Sequence, residues 1–129
     1  MPDLATRSTS IARFIRLRAM TMPLDEPLFD QIAAAELKSL EKKLGDEDPD
    51  ELEVDFSMDV MTLTVRGKDK IVINSHRAAR QIWMAAYRKA WHFSPVDESG
   101  VWVWRTADDE LHEAIAGILA EKLGRTIAV

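Results

Sequence analysis

Between Leu52 and Arg105 the chain falls into six short runs, each bounded by turn residues and too brief for a helix. No other feature narrows the fold as much. Leu52, Val54 and Phe56 alternate with Glu53, Asp55 and Ser57, which is the period of a half-buried strand. Met58-Asp59 then turns the chain into a second predicted strand over 60–66, and Gly67-Lys68-Asp69 turns it into a third over 70–74. Strands joined by such short turns make an antiparallel meander. A fourth is predicted over 80–86, a fifth over 91–94 and, after a turn over 95–100, a sixth over 101–105.

Helical patterns enclose this meander. Asp25 is placed as an N-cap, with Glu26 and Pro27 in the first turn where acid and proline are favoured. Leu28, Phe29, Ile32, Ala33, Leu37, Leu40 and Leu44 follow at helical spacing, and Gly45 supplies the stop. After the strands, Thr106 and Asp109 resemble a capping box. Leu111, Ala114, Ile115, Ile118, Leu119 and Leu123 form a second apolar stripe, ended by Gly124. The order helix, strands, helix predicts an α+β two-layer sandwich: an antiparallel sheet of about six strands with both helices on one face. The other face is left to solvent or a partner.

A length of 129 residues suits one domain with a modest core. Without cysteine there can be no disulfide, thiolate metal site or cysteine nucleophile. A metal would have to be held by oxygen or by His76, His92 and His112. No apolar run approaches the roughly 20 residues of a membrane span. The net charge of −5 is unevenly spread, because residues 24–59 carry 13 acids against only Lys38, Lys42 and Lys43. That concentration argues against nucleic acid and for cations or a basic protein surface as partner. Residues 1–23 hold Arg7, Arg13, Arg16 and Arg18 against Asp3, with a loose amphipathic pattern of Ile11, Phe14, Ile15 and Leu17. They are expected to form a basic flexible extension ahead of a domain over 24–129. A transit peptide and an upstream extension from a misassigned start codon are the other readings of this stretch.

The acids crowd further. Asp46, Glu47, Asp48, Asp50, Glu51, Glu53 and Asp55 put seven carboxylates into ten residues, with Glu41 on the helical turns before them. Carboxylate oxygen suits hard or borderline cations such as Fe²⁺, Mn²⁺ and Ca²⁺. With no histidine at ligand spacing, the expectation is a shallow, partly hydrated surface and not a cage; an ordinary solvated face is the competing reading. The run D-E-D-P-D-E-L-E is no EF-hand, since it lacks the glycine at loop position six.

A second patch lies in the strands. If Ile82 and Met84 face the core, Asn74, Gln81 and Trp83 share the outward face. A large aromatic beside two amides is a candidate recognition patch, although tryptophans at strand spacing are as often buried.

The runs V-M-T-L-T-V, I-V-I-N, R-Q-I-W, W-H-F, G-V-W-V-W and L-H-E resemble the frataxin family, in particular its bacterial branch. The resemblance covers roughly residues 24–129, and I-N-x6-Q-I-W is its most specific part. It implies the same two-layer sandwich. It also implies weak binding of Fe²⁺ and Fe³⁺ by acids on helix one and the neighbouring edge strand, where Glu41, Asp46, Glu51 and Glu53 fall at or near family positions. Glu47, Asp48, Asp50 and Asp55 complete the candidate ridge. Ala34, Lys42 and Gly45 stand where relatives carry acid, so acid is thinned on the helix and enriched in the loop. The resemblance further implies that Trp83 lies on the open sheet face with Asn74 and Gln81, contacting the cysteine desulfurase and scaffold protein of iron–sulfur cluster assembly.

The expected function is that of a non-enzymatic, iron-binding accessory and regulatory protein of that assembly. It is expected to be a monomer able to form iron-dependent oligomers, cytoplasmic, with neither nucleic acid nor membrane as partner; a transit peptide at 1–23 would make it mitochondrial. The alternative is a ferroxidase and iron-storage protein, against which stands the absence of the Glu-x-x-His pairs of buried di-iron centres. Trp91, Trp102 and Trp104 are read as structural, with Trp102 at a family core position. His92 is read as a hydrogen-bonded strand residue, His112 as boundary packing and His76 as an exposed loop residue. Ala78, where the family usually has proline, is expected to loosen its turn. Arg88-Lys89-Ala90 replaces a glycine-containing turn and adds positive charge near the recognition face.

Overall fold

In the computed structural model the described residues are 24–129, so the predicted basic extension lies outside them. Helix α1 spans Glu26–Leu44. Asp25 caps it, its Oδ1 accepting the Leu28 N–H at 2.9 Å. Phe29, Ala33, Leu37, Leu40 and Leu44 form the buried stripe, while Leu28 is exposed. Gly45 ends the helix in the ordinary right-handed region (φ −69°, ψ −11°), not the left-handed one. Glycine is needed there for room, because a Cβ would stand 2.8 Å from the Glu41 carbonyl oxygen.

The strands are β1 (Leu52–Ser57), β2 (Val60–Val65), β3 (Asp69–His76), β4 (Gln81–Ala86), β5 (Lys89–Glu98) and β6 (Val101–Arg105). They lie in the order β1-β2-β3-β4-β5-β6, and every neighbouring pair is antiparallel. Three connections are two-residue turns, Met58-Asp59, Tyr87-Arg88 and Ser99-Gly100, with both residues at positive φ. That conformation matches the strand twist and suits Asn-Gly far better than Met-Asp or Tyr-Arg. Two strands outrun their predicted ends. β3 continues through Ser75 and His76, which pair with Ile82 and Gln81, so His76 is a strand residue and not a loop residue. β5 continues through Pro95 to Glu98 against β6, where a turn was expected.

Helix α2 spans Leu111–Leu123. Its N-cap is Glu110, whose carboxylate accepts the His112 and Glu113 N–H groups at 3.0 Å each. The Thr106–Asp109 pattern therefore does not cap the helix. Thr106 Oγ1 accepts the Asp108 and Asp109 N–H groups at 3.2 and 2.9 Å, closing a local turn before it. A short hydroxyl side chain satisfies backbone donors two and three residues on, whether or not a helix follows. Gly124 closes α2 with φ 73°, as the sequence predicts.

α1 packs over β1 and β3, and α2 over β2 and β6, on one face of the sheet. Between the layers lie Met61, Leu63, Ile71, Ile73, Ile82, Met84, Phe93 and Trp104, with the buried stripes of both helices. Trp104 meets Phe29 edge-on at 6.0 Å, and Trp91 is also buried, whereas Trp102 is only half-buried. The turn that lacks proline at 78 is tied to α1. Arg77 grips Asp30 through two hydrogen bonds of 3.0 and 2.7 Å, and Arg80 donates to the Leu24 carbonyl at 2.9 Å. No helix among the described residues is long and apolar enough to cross a membrane.

Candidate functional site: the open sheet face

Because Ile82, Met84, Ile71, Ile73 and Phe93 point to the helices, the alternate residues of β3, β4 and β5 stand on the opposite face, which no helix among the described residues covers. Trp83 is at their centre, half-buried, with Asn74 directly opposite on β3 and His92 directly opposite on β5. The three partner residues read from the sequence are therefore brought together. The Trp83 Nε1–H donates to Gln81 Oε1 at 2.8 Å, and Gln81 Nε2 donates on to Ser94 Oγ at 3.1 Å. Asn74 Nδ2 donates to the Ser75 carbonyl at 3.1 Å.

Two histidines join them. The His76 ring stacks on Trp83 with centroids 3.7 Å apart, and the His92 ring stacks at 4.2 Å, each tilted by only 15°. Trp83 is thus sandwiched between imidazoles from the strands on either side. His76 Nδ1 accepts the Ala79 N–H at 3.3 Å, which fixes the ring from behind. His92, read from the sequence as a strand residue, is on β5 with its ring stacked on Trp83. Sequence reasoning missed this trio, yet turn lengths carried the signal. A two-residue turn at 87–88 sets Trp83 opposite His92, and a four-residue link at 77–80 sets His76 opposite Gln81. The centre of the face holds no aspartate, glutamate, lysine or arginine. Lys89 turns away from it to the helix side, its Nζ 4.7 Å from the Trp91 ring centre, so that lysine does not add its charge to this face.

The acidic ridge wraps the β1 edge of the sandwich. Glu41 is half-buried on α1, Asp46 to Asp50 lie in the connecting segment, and Glu53 and Asp55 stand on β1 opposite Thr64 and Thr62. The segment is an ordered turn: Asp48 Oδ1 accepts the Asp50 N–H at 2.9 Å, and the Asp48 carbonyl accepts from Glu51 and Leu52. Among the described residues, guanidinium groups engage two of the eight acids. Glu51 takes both Nε and an NH₂ group of Arg66 at 3.2 and 3.3 Å, and Glu47 takes Arg125 at 3.1 Å. Among the described residues no three histidine, aspartate or glutamate side chains converge on one point as metal ligands. A cation on this ridge would meet one or two carboxylates at a time and keep much of its water.

The third histidine lies elsewhere. His112 Nε2 is 2.6 Å from Glu36 Oε2, joining α2 to α1. The hydrogen bond to Glu36 raises its pKa above the usual value, against the opposing effect of burial.

A family model described as the frataxin-like domain matches residues 22–125. Among curated proteins, an iron-sulfur cluster assembly protein CyaY from Ralstonia pickettii is 32% identical over 103 residues, covering 78% of this chain and 90% of the relative. A protein of the same name from Pseudomonas putida is 28% identical over 106 residues, covering 82% and 96%. Among solved structures, a frataxin from Psychromonas ingrahamii, described as a model for stability modulation within the CyaY family, superposes with a TM-score of 0.68. It shares 19% identity and covers 81% of this chain and 96% of its own, which is a likeness of fold.

Proposed function

Since the chain belongs to the frataxin-like family, as the match over residues 22–125 shows, we propose that it serves iron–sulfur cluster assembly by docking on the cysteine desulfurase and scaffold complex through its open sheet face. The observation that carries this reading is the sheet face, free of helix among the described residues, with Trp83, Asn74 and Gln81 at its centre. A half-exposed indole ringed by satisfied amides offers both area and directional polar contact to a partner. The relatives from Ralstonia and Pseudomonas are named for iron–sulfur cluster assembly, which supports the process assigned.

The acidic ridge supplies the second half of the proposal. It attracts a basic partner surface and binds Fe²⁺ or Fe³⁺ weakly as cargo, through Glu41, Asp46, Glu47, Asp48, Asp50, Glu51, Glu53 and Asp55 acting in changing pairs. Glu47 and Glu51 already hold arginines, so Asp46, Asp50, Glu53 and Asp55 are the more available donors. The protein acts in the cytoplasm as a monomer and without a reaction of its own.

The test uses purified components. The chain is titrated with a bacterial cysteine desulfurase–scaffold complex, and separately with anaerobic Fe²⁺ followed by admission of oxygen. Saturable binding to the complex, with no more oxygen consumed per Fe²⁺ than in buffer, is the expected result. Stoichiometric oxygen uptake without complex binding would make the protein a ferroxidase instead.

A further inference from the structure

Both faces of the Trp83 ring are covered, and that limits how it can meet a partner. His76 lies 3.7 Å away on one side and His92 4.2 Å away on the other, each imidazole tilted by 15° from the indole plane. The rings come from three consecutive strands, so they stand side by side on the sheet and present their edges outward. The indole N–H is already spent on Gln81. Trp83 therefore cannot offer a flat π-face to an aromatic or proline of a partner, nor donate a hydrogen bond without losing one.

We propose that His76 and His92 are positioning residues that clamp Trp83 edge-on, so that the docking face engages its partner through a ladder of three ring edges. The inference rests on the docking reading given above. Ring edges carry the positive part of the aromatic quadrupole. The fitting surface is a shallow slot on a folded protein partner, lined by apolar groups and by carbonyl or carboxylate oxygens. Clamping also removes rotamer freedom before the partner arrives, which reduces the ordering cost of association. The clamp is anchored independently on its two sides. His76 is held by the Ala79 N–H on its Nδ1, and His92 by its register opposite Trp83.

The test compares the wild type with His76→Ala/His92→Ala, His76→Phe/His92→Phe and Trp83→Ala in the full chain. The probe is the purified cysteine desulfurase–scaffold complex, and thermal melts establish that each variant is folded. The double alanine variant is expected to bind more than tenfold more weakly, and the double phenylalanine variant, which keeps the stack without the imidazole nitrogens, to bind within about threefold of wild type. In the free protein, the Trp83 indole N–H signal in a ¹H–¹⁵N spectrum, assigned by its loss in Trp83→Ala, should shift in the alanine variant. It should stay near its place in the phenylalanine variant, where ring currents remain. Unchanged binding by the alanine variant while Trp83→Ala weakens binding overturns the clamp and leaves the docking reading standing. Loss of binding in the phenylalanine variant equal to that in the alanine variant also overturns it, since the imidazole nitrogens would then be the contacts. If Trp83→Ala binds as wild type, the docking reading itself falls and the clamp with it.

Discussion

At the scale of single residues, His112 and Trp83 show how a polar or aromatic side chain is kept partly out of water. His112 joins the two helices through Glu36, and the hydrogen bond to that carboxylate raises its pKa. A basic group whose folded pKa is raised stabilises the fold fully below its unfolded pKa of about 6.5, and that contribution fades as pH rises through the folded value. His112→Gln is therefore expected to cost about 1.5 kcal/mol at pH 6, the scale of a hydrogen bond between charged groups, and clearly less at pH 9. Urea unfolding at the two pH values measures it; an equal cost at both would mean that the pair works as a neutral hydrogen bond. Of these two residues, the sequence pointed to Trp83 through Ile82 and Met84 on the opposite parity. It did not reveal the Glu36 partner, because 76 residues separate the two side chains and only the packing of α1 beside α2 joins them.

At the scale of elements, the meander and the two helices were legible because alternation and helical spacing report burial directly. What escaped were features set by pairing across strands. The extension of β3 to His76 and of β5 to Glu98 follows from continued partners on β4 and β6, not from local pattern. The Thr106 turn was misplaced because the same side chain bonds serve turns and helix starts alike. Hairpin tips give a direct test. Met58 and Asp59 both adopt left-handed backbone (φ 53° and 65°), and Met58 is 93% exposed. Replacing the pair with Asn-Gly should stabilise the domain by about 1 kcal/mol, the cost of non-glycine residues in that region. A thermal melt should show a rise of about 4 °C or more for a domain of this size; a fall would mean that the native pair makes contacts the strain conceals.

At the scale of the whole molecule, charge and recognition are divided between the β1 edge and the open face. Like charges along the ridge repel in the folded state, and salt screens them. Neutralising Asp46, Asp50, Glu53 and Asp55 to their amides leaves the Glu47–Arg125 and Glu51–Arg66 pairs intact. That variant is expected to melt higher than wild type at low salt and to depend less on salt; at matched ionic strength anaerobic Fe²⁺ is expected to stabilise wild type and to stabilise the variant far less. An undiminished iron response would move the cation site off the ridge. The open face carries the larger claim, that docking on the cysteine desulfurase complex runs through Trp83. Trp83→Ala removes a half-buried indole from the sheet face opposite α1 and α2, so its melting temperature should fall only slightly. Calorimetric titration of the desulfurase–scaffold complex should then show affinity weakened by about 2 kcal/mol, or roughly thirtyfold, as expected of an interface hot spot. A folded Trp83→Ala protein that binds the complex with wild-type affinity would contradict the assignment of this face.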